Sequence, residues 1–359
     1  KRSLNNGDTW DATVQLSNTS GRAGHSSIFS SGSNVHVAWW DTRDGNFEIY
    51  YKRSNDNGNT WTPDIRLSNT SGPSCNPAIA VSGTNVHVVW FDSTAGNWEI
   101  YYKRSVDGGV NWGADTRLTN NTATSWFPTL AVTGSIVHIV WTDNRNGTGN
   151  IYYKRSTNSG AVWGTDTRLT KNNYSNGYPS LGVYGSNVHI TYERLLNTSF
   201  DIMYLTSKND GVKWGNDVQL TNNASSSNVS SIAVSGTYLH TIFRDTRDGN
   251  NEIYYKQYKG SVYASPFWES QIDPKLPKSY SLSQNYPNPF NPVTKISFDV
   301  PNQSFVMLKI YDIMGREVKT LVNEIKSPGY YTVDFNGTEI SSGVFFYRLQ
   351  SGDFTDIKR

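Results

Sequence analysis

The chain has 359 residues, of which 17% are charged and 13% aromatic, and a formal net charge of +2. A balance this close to neutral gives no electrostatic case for nucleic acid or an anionic membrane as partner, and the single cysteine, Cys75, excludes an internal disulfide framework. No apolar run reaches the length of a membrane span, and the many Tyr, Trp, Gly and Asn residues mark an all-β chain rich in turns.

From the first residue the chain repeats. Lys1, Lys52, Lys103 and Lys154 open the same phrase 51 residues apart, and Trp10, Trp61, Trp112, Trp163 and Trp214 keep that spacing, as do His36, His87, His138, His189 and His240. A fixed period of this length is the mark of a repeat architecture. Within one repeat the pattern predicts four strands: Pro77 to Val81, Val86 to Phe91, Trp98 to Arg104, and Thr116 to Thr119, separated by Gly/Asn turns. The second strand is apolar on both faces, so both must be covered. That is expected of a sheet packed between neighbouring copies, as in a β-propeller. Inner strands are expected to begin near His25, Asn76, Phe127, Tyr178 and Val229. Lys1 to Ser17 reads as the tail of a further repeat, so the chain reads as a fragment of a six-bladed parent with about five blades visible.

The turn before each tryptophan runs SNDNGNTW at Ser54 and SVDGGVNW at Ser105, with Asn in place of Asp in the copies at Ser3, Ser156 and Ser207. The side-chain oxygen suits a bond to amides of its own turn, and the glycine suits a positive φ. The Trp is expected to plug the core beneath. This octet resembles the Asp-box, or BNR repeat, of sialidase-like β-propellers, and the resemblance implies that fold over residues 1–271 without implying an activity.

The period stops near Ile272, and residues 272–280 read as a short stiff linker. Residues 281–359 carry Tyr286-Pro-Asn-Pro-Phe-Asn-Pro292, Gly315-Arg-Glu-Val318 and Ser342-Gly-Val-Phe-Phe-Tyr-Arg-Leu349. These resemble the type A C-terminal sorting domain of the type IX secretion system of Bacteroidota and related bacteria. The resemblance implies a small Ig-like β-sandwich, the secretion machinery as a partner, and export across the outer membrane to the surface or the medium.

Residues repeated in every blade read as scaffold. The five histidines are expected to be core residues, and no metal site or cofactor is expected. The Asp-Thr-Arg-Asp-Gly phrases at Asp41 and Asp245 read as turns with local Asp–Arg pairing, and the Lys-Arg-Ser runs as solvated. Function is sought where the grid breaks. One position at the end of the second strand reads Trp40, Phe91, Thr142, Glu193, Arg244, and the next departs from Asp only at Arg194. With Trp126, Phe127 and Tyr178 at the starts of inner strands, the candidate ligand rim is Trp40, Phe91, Trp126, Phe127, Tyr178, Glu193, Arg194 and Arg244, expected on the face opposite the Asp-box turns. Drift at exposed loop ends would give the same pattern. The expected function is a secreted or surface-attached propeller binding extracellular glycans or proteins, with a glycan or glycoprotein as the expected partner. The alternative is an exo-sialidase or related glycoside hydrolase with its catalytic set partly N-terminal to this sequence; Arg22, Arg194 and Arg244 could supply cations, while Tyr192, at the grid position of Trp141 and Phe243 and pointing opposite to Glu193, reads as core.

Overall fold

The computed structural model of the chain describes residues 1–359 apart from 6, 237, 260–276, 278, 302–303, 327–328, 339, 341–342 and 353. It divides into two compact units, Lys1–Trp268 and Glu269–Arg359. Most of the expected linker, 272–280, lies outside the described residues.

In the first unit each repeat forms one antiparallel meander with its strands in chain order. The second repeat is representative, with strands Ser74–Ser82, Asn85–Asp92, Glu99–Ser105 and Thr116–Arg117. The other inner strands are Ala23–Ser31, Ser125–Thr133, Asn176–Tyr184 and Ser227–Ser235. Among the described residues the fifth sheet has three strands. The core lies between sheets. Val86, Val88 and Trp90 pack on Ala38, Trp40, Ile49 and Tyr51 of the preceding repeat. Val89, Phe91, Ile100 and Tyr102 pack on Val137, Ile139 and Trp141 of the following one. A strand apolar on both faces thus finds a partner for each, and the sheets stand as the blades of a β-propeller.

The Asp-turns hold themselves. Ser54 Oγ donates to Asp56 Oδ1 at 2.7 Å and accepts the Gly58 amide at 2.8 Å, while the Thr60 amide donates to Asp56 Oδ1 at 2.9 Å. Asn158 accepts the Val162 amide at 2.8 Å in the same way, so the Asp-to-Asn exchange keeps the acceptor. The tryptophans of these turns correct an expectation. They are not sealed plugs: Trp10 is 60% exposed, and Trp112, Trp163 and Trp214 are half-buried, each edge-on to a tyrosine of the preceding blade about 5 Å away. The sealed tryptophans are Trp90 and Trp141, on second strands.

That tyrosine is where blades lock. His87 Nδ1 and the Tyr102 hydroxyl are hydrogen-bonded at 2.6 Å, and the pair recurs as His36–Tyr51, His138–Tyr153, His189–Tyr204 and His240–Tyr255. The Tyr102 hydroxyl also lies so close to Gly160, in the turn of the next blade, that a Cβ there would sit 1.9 Å from it. The Lys-Arg-Ser runs are fasteners as well, not the free solvated runs expected from sequence. Lys103 Nζ donates back to the Leu67 carbonyl at 2.5 Å, and Arg104 Nη1 donates forward to the Ser159 carbonyl at 2.8 Å. One result follows for Gly160→Ala. Its φ is +79°, and the added methyl meets a tyrosine that histidine holds in place. The variant should lose about 2–4 kcal/mol, against about 1–2 for Gly134→Ala, whose φ of +58° is strained but whose surroundings are open. Urea midpoints of the two variants check this.

The second unit packs two sheets face to face. Ser281–Leu282, Val293–Val300 and Gly329–Asn336 form one; Glu317–Lys326, Ser304–Tyr311, Phe346–Ser351 and Phe354–Lys358 form the other. Leu282, Ile296, Phe298 and Val300 meet Val306, Leu308, Ile310 and Leu349 in a shared core. Tyr347 ties its hydroxyl to the Ser283 carbonyl at 2.9 Å and to the Asn285 amide at 2.8 Å.

Candidate functional site

Every inner strand carries the same irregularity. Its pairing with the second strand slips just after Gly24, Cys75, Gly177 and Asn228, and at the matching place after Trp126. The residues in the slip have left-handed backbones: His25 (φ 45°), Asn76 (49°), Phe127 (53°), Tyr178 (47°) and Val229 (50°). Such φ values are uncommon for any non-glycine and a true outlier for a β-branched valine. A bulge re-aims a side chain, and here five bulges aim theirs at one place. His25, Asn76, Phe127, Tyr178 and Val229, with the residue following each, line a single cavity of about 260 Å³. Since these residues open the inner strands, the cavity lies at the end of the channel away from the Asp-turns.

The cavity wall is uneven. The Phe127 and Tyr178 rings stack at 4.2 Å with an interplanar angle of 24°, and Phe91 stands edge-on behind Phe127 at 5.6 Å. His25 and Asn76 make the other side polar. Behind Val229, Glu193 Oε2 accepts the Val229 amide at 3.2 Å. Burial pushes the Glu193 carboxyl above the usual carboxylate range, against the pull of that amide and of Arg244. Burial and then the Glu193 charge raise the Tyr178 phenol, with Arg244 opposing.

The residues singled out from sequence have separate fates. Phe127 and Tyr178 line the cavity; Phe91 and Glu193 are buried behind it. Trp126 flanks Phe127 at 6.4 Å. Arg244 Nε donates to Asn228 Oδ1 at 2.7 Å beside the cavity. Trp40 is 8% exposed, packed on Phe47 and over Gly24, so it is an inter-blade core residue and not an open rim. Arg194 is a correction of the same kind. It points away from Glu193, donates to Asn176 Oδ1 and the Tyr192 hydroxyl at 2.9 Å, and pairs with Asp217. In the first and third blades an Asp on the second strand pairs with Arg43 or Arg145, which reaches Asp64 or Asp166; Arg194 fills that network from the opposite end. With Arg194 and Tyr192 tied to each other and to Asp217, the sialidase set suggested by sequence does not assemble. His25, Asn76 and Val229 are the cavity residues left out of the sequence-based set. The signal was a column of unlike residues followed by Pro in three copies, Pro77, Pro128 and Pro179. Among the described residues no group of histidine, cysteine and carboxylate side chains could hold a metal ion.

Comparisons with known proteins bear on both units. Residues 284–359 match the family model of the secretion system C-terminal sorting domain. No curated protein matches the chain. Solved structures similar to it include an α-L-arabinofuranosidase of Fusarium graminearum in complex with an iminosugar inhibitor, at 13% identity and a TM-score of 0.47, covering 90% of this chain and 96% of that one. The family 43 endo-arabinanase of Bacillus licheniformis is similar at 12% identity and a TM-score of 0.42, covering 68% and 97%. The family 62 α-L-arabinofuranosidase catalytic domain of Coprinopsis cinerea is similar at 11% identity and 0.41, covering 66% and 89%. The packed meanders of the first unit make it a β-propeller, and the sorting domain matched over residues 284–359 marks the chain for export to the cell surface or the medium.

Proposed function

We propose that the exported propeller binds an extracellular glycan, free or on a glycoprotein, in the cavity at the mouth of its channel. The observation that carries this is the ring of five left-handed bulges. Each costs on the order of 1–3 kcal/mol, and such strain persists where the surroundings enforce it, typically at functional sites. The backbone is alike in all five blades while the side chains it aims differ. The stacked Phe127–Tyr178 pair offers the flat apolar surface that a sugar ring covers, and polar His25 and Asn76 face it.

A hydrolytic reading has in its favour two buried carboxyls with raised pKa values, Glu193 and Asp201, although Asp201 accepts a hydrogen bond from the Thr221 hydroxyl at 2.8 Å. Glycoside hydrolysis needs a second carboxyl about 5–9.5 Å from the first. None lines the cavity, and Asp41, Asp92, Asp143 and Asp245 at the ends of the second strands are held by Arg, Ser or Thr partners. Binding is the better reading.

A closed ring of six blades completes the proposal. Ile242, Ile253 and Tyr255 on the outer flank of the fifth blade are 47%, 72% and 57% exposed, whereas their first-blade counterparts Ala38, Ile49 and Tyr51 are fully buried. Ile28 on the opposite flank is 67% exposed. We read Lys1 to Asn5 and Gly7 to Ser17 as the outer part of such a blade, a reading supported by Lys52 Nζ donating to the Leu16 carbonyl at 2.7 Å and Arg2 Nη1 to the Asn57 carbonyl at 2.8 Å. The two facing sheets of the second unit fit the Ig-like sandwich that the sorting-domain resemblance implies.

The test is a glycan array on the intact chain. Phe127→Ala and Tyr178→Ala should each weaken binding about tenfold, corresponding to about 1.4 kcal/mol, while Tyr178→Phe should keep most of it. Full binding by both alanine variants would remove the site from this cavity.

A further inference from the structure

At the end of the second strand the blades seat an arginine against an aromatic ring, and the second blade keeps the seat without the arginine. In the first blade the Arg43 guanidinium lies 4.3 Å from the centre of the Tyr50 ring. It donates to Asp41 Oδ2 at 2.6 Å and to Asp64 Oδ2 at 2.8 Å, while Lys52 Nζ pairs with the other oxygen of Asp64 at 2.7 Å. The third blade repeats this with Arg145 at 4.5 Å from Tyr152, and with Asp143, Asp166 and Lys154. In the fifth, Arg247 lies 4.2 Å from Tyr254 and pairs with Asp245; in the fourth, Arg194 serves from the opposite end.

The second blade has Asp92, Tyr101, Lys103 and Asp115 at the matching places, but Thr94 stands where the arginine would. The turn is otherwise unchanged. The Thr94 amide donates to Asp92 Oδ1 at 2.7 Å, as the Arg43 amide does to Asp41 Oδ1 at 2.9 Å. Tyr101 stacks on Trp90 at 6.2 Å and 23°, as Tyr50 does on Trp39 at 6.1 Å and 27°. Lys103 Nζ pairs with Asp115 Oδ1 at 2.9 Å, and among the described residues nothing pairs with Oδ2, the oxygen that takes arginine in the first and third blades. Arg117, also near Tyr101, is committed to Glu99 at 3.0 Å and to the Thr119 carbonyl at 2.9 Å.

The seat is open to solvent. Tyr50 and Tyr152 are 5% exposed beneath their arginines, whereas Tyr101 is half-buried. The Asp115 side chain is 31% exposed, against 15% for Asp64 and 20% for Asp166. Ala95 replaces the residue, Asp44 or Asn146, that holds the tyrosine hydroxyl in the first and third blades, and both Thr94 and Ala95 are exposed. Beneath the seat the missing cation leaves a mark. Trp39 and Trp141 donate Nε1–H to Oδ2 of Asp41 and Asp143, the oxygen that arginine also holds. Trp90, with 0% exposure, has no partner for Nε1, and Asp92 Oδ2 is taken by the Thr70 and Ser74 hydroxyls instead. An unmatched buried donor calls for an explanation.

We propose that this seat on the second blade receives the guanidinium of an arginine presented by a partner protein. The planar group lies on the Tyr101 ring and pairs with Asp115 Oδ2, with the buried Asp92 charge beneath it. Two carboxylates answered by one lysine leave negative charge beside an aromatic face, which favours a cation there. The filled seats show which cation: each holds a guanidinium, whose flat fork matches both a ring and a carboxylate. Glycans carry no such group, and arginine is a residue on which protein interfaces concentrate their binding energy.

The experiment titrates the full chain with N-acetyl-arginine amide and with its lysine and citrulline counterparts, following the Trp90 indole N–H by NMR. The arginine amide should shift that signal saturably, with a Kd on the order of 1 mM that weakens as salt rises. The lysine amide should bind at least about threefold more weakly, and the neutral citrulline amide should leave the signal in place. Asp115→Asn should weaken the arginine amide about fivefold. Thr94→Arg fills the seat from within, so it should abolish the response and raise the urea midpoint. No saturable shift, an equal response to citrulline amide, or an unchanged response in Asp115→Asn would overturn the proposal. So would a full response in Thr94→Arg, or a lowered midpoint, which would mean that the space is already filled.

Discussion

Between pH 7 and pH 5 the chain should lose several kcal/mol of stability, through histidine. Burial lowers His36, His87, His138 and His189 from 6.5 to about 4, and for the first three a nearby arginine adds to the shift. In the unfolded chain these rings titrate near 6.5. Above that value both states are neutral and the contribution to stability is fully present. As pH falls below it the unfolded chain takes up protons that the folded one refuses, so stability falls until the folded rings titrate near 4. At pH 5 the gap is about 1.5 pH units, about 2 kcal/mol per ring, which over four rings is comparable with the whole stability of many domains. Glu193 and Asp201, whose pKa values are raised, oppose the loss, since the folded state protonates them first. Asp41 and Asp56 hold at about 2 and take no part in this window. Urea midpoints at pH 7, 6 and 5 should fall steadily. His87→Asn should be less stable at pH 7 but lose less on acidification. A midpoint that does not move between pH 7 and 5 would mean that the rings are not held neutral.

The repeat made the scaffold legible. A strand such as Asn85-Val-His-Val-Val-Trp-Phe-Asp92, apolar on both faces, has few ways to exist outside a stack of sheets, and the 51-residue grid says how many neighbours it has. The strands predicted over Val86 to Phe91 and Trp98 to Arg104 form at Asn85–Asp92 and Glu99–Ser105. The site was legible only as a place where columns differ. Sequence cannot show which differing residues face the channel, because a bulge shifts the alternation of side chains. Trp40 and Arg194 looked like rim residues because they broke the pattern, but each breaks it to repair packing. Trp40 covers Gly24, and Arg194 replaces an Asp in an ion pair whose partner is now Asp217.

Removing residues 281–359 from the exported protein should abolish its appearance at the surface or in the medium and leave it in the periplasm. The unit removed has its own core, in which Phe298, Val306, Leu308 and Leu349 are fully buried, so it is a folded signal and not a tail. The propeller's blades close on one another through bonds such as Lys103 to Leu67 and Arg104 to Ser159, none of which involves the second unit. The truncated propeller should therefore fold, and the export defect can be separated from misfolding. Periplasmic propeller with the wild-type unfolding midpoint is the expected result, measured by fractionation and by melting of the purified fragment. A point variant sharpens the test. Leu308→Ala, at a site with 0% exposure, should cost the small unit about 2–5 kcal/mol. A unit of this size has little stability to spare. Export should then fall while the propeller is unchanged. Normal export of the truncation would show that the signal lies elsewhere. Normal export of Leu308→Ala, with its small unit shown to be unfolded, would show that the machinery reads a linear segment such as Tyr286 to Pro292 and not the folded sandwich.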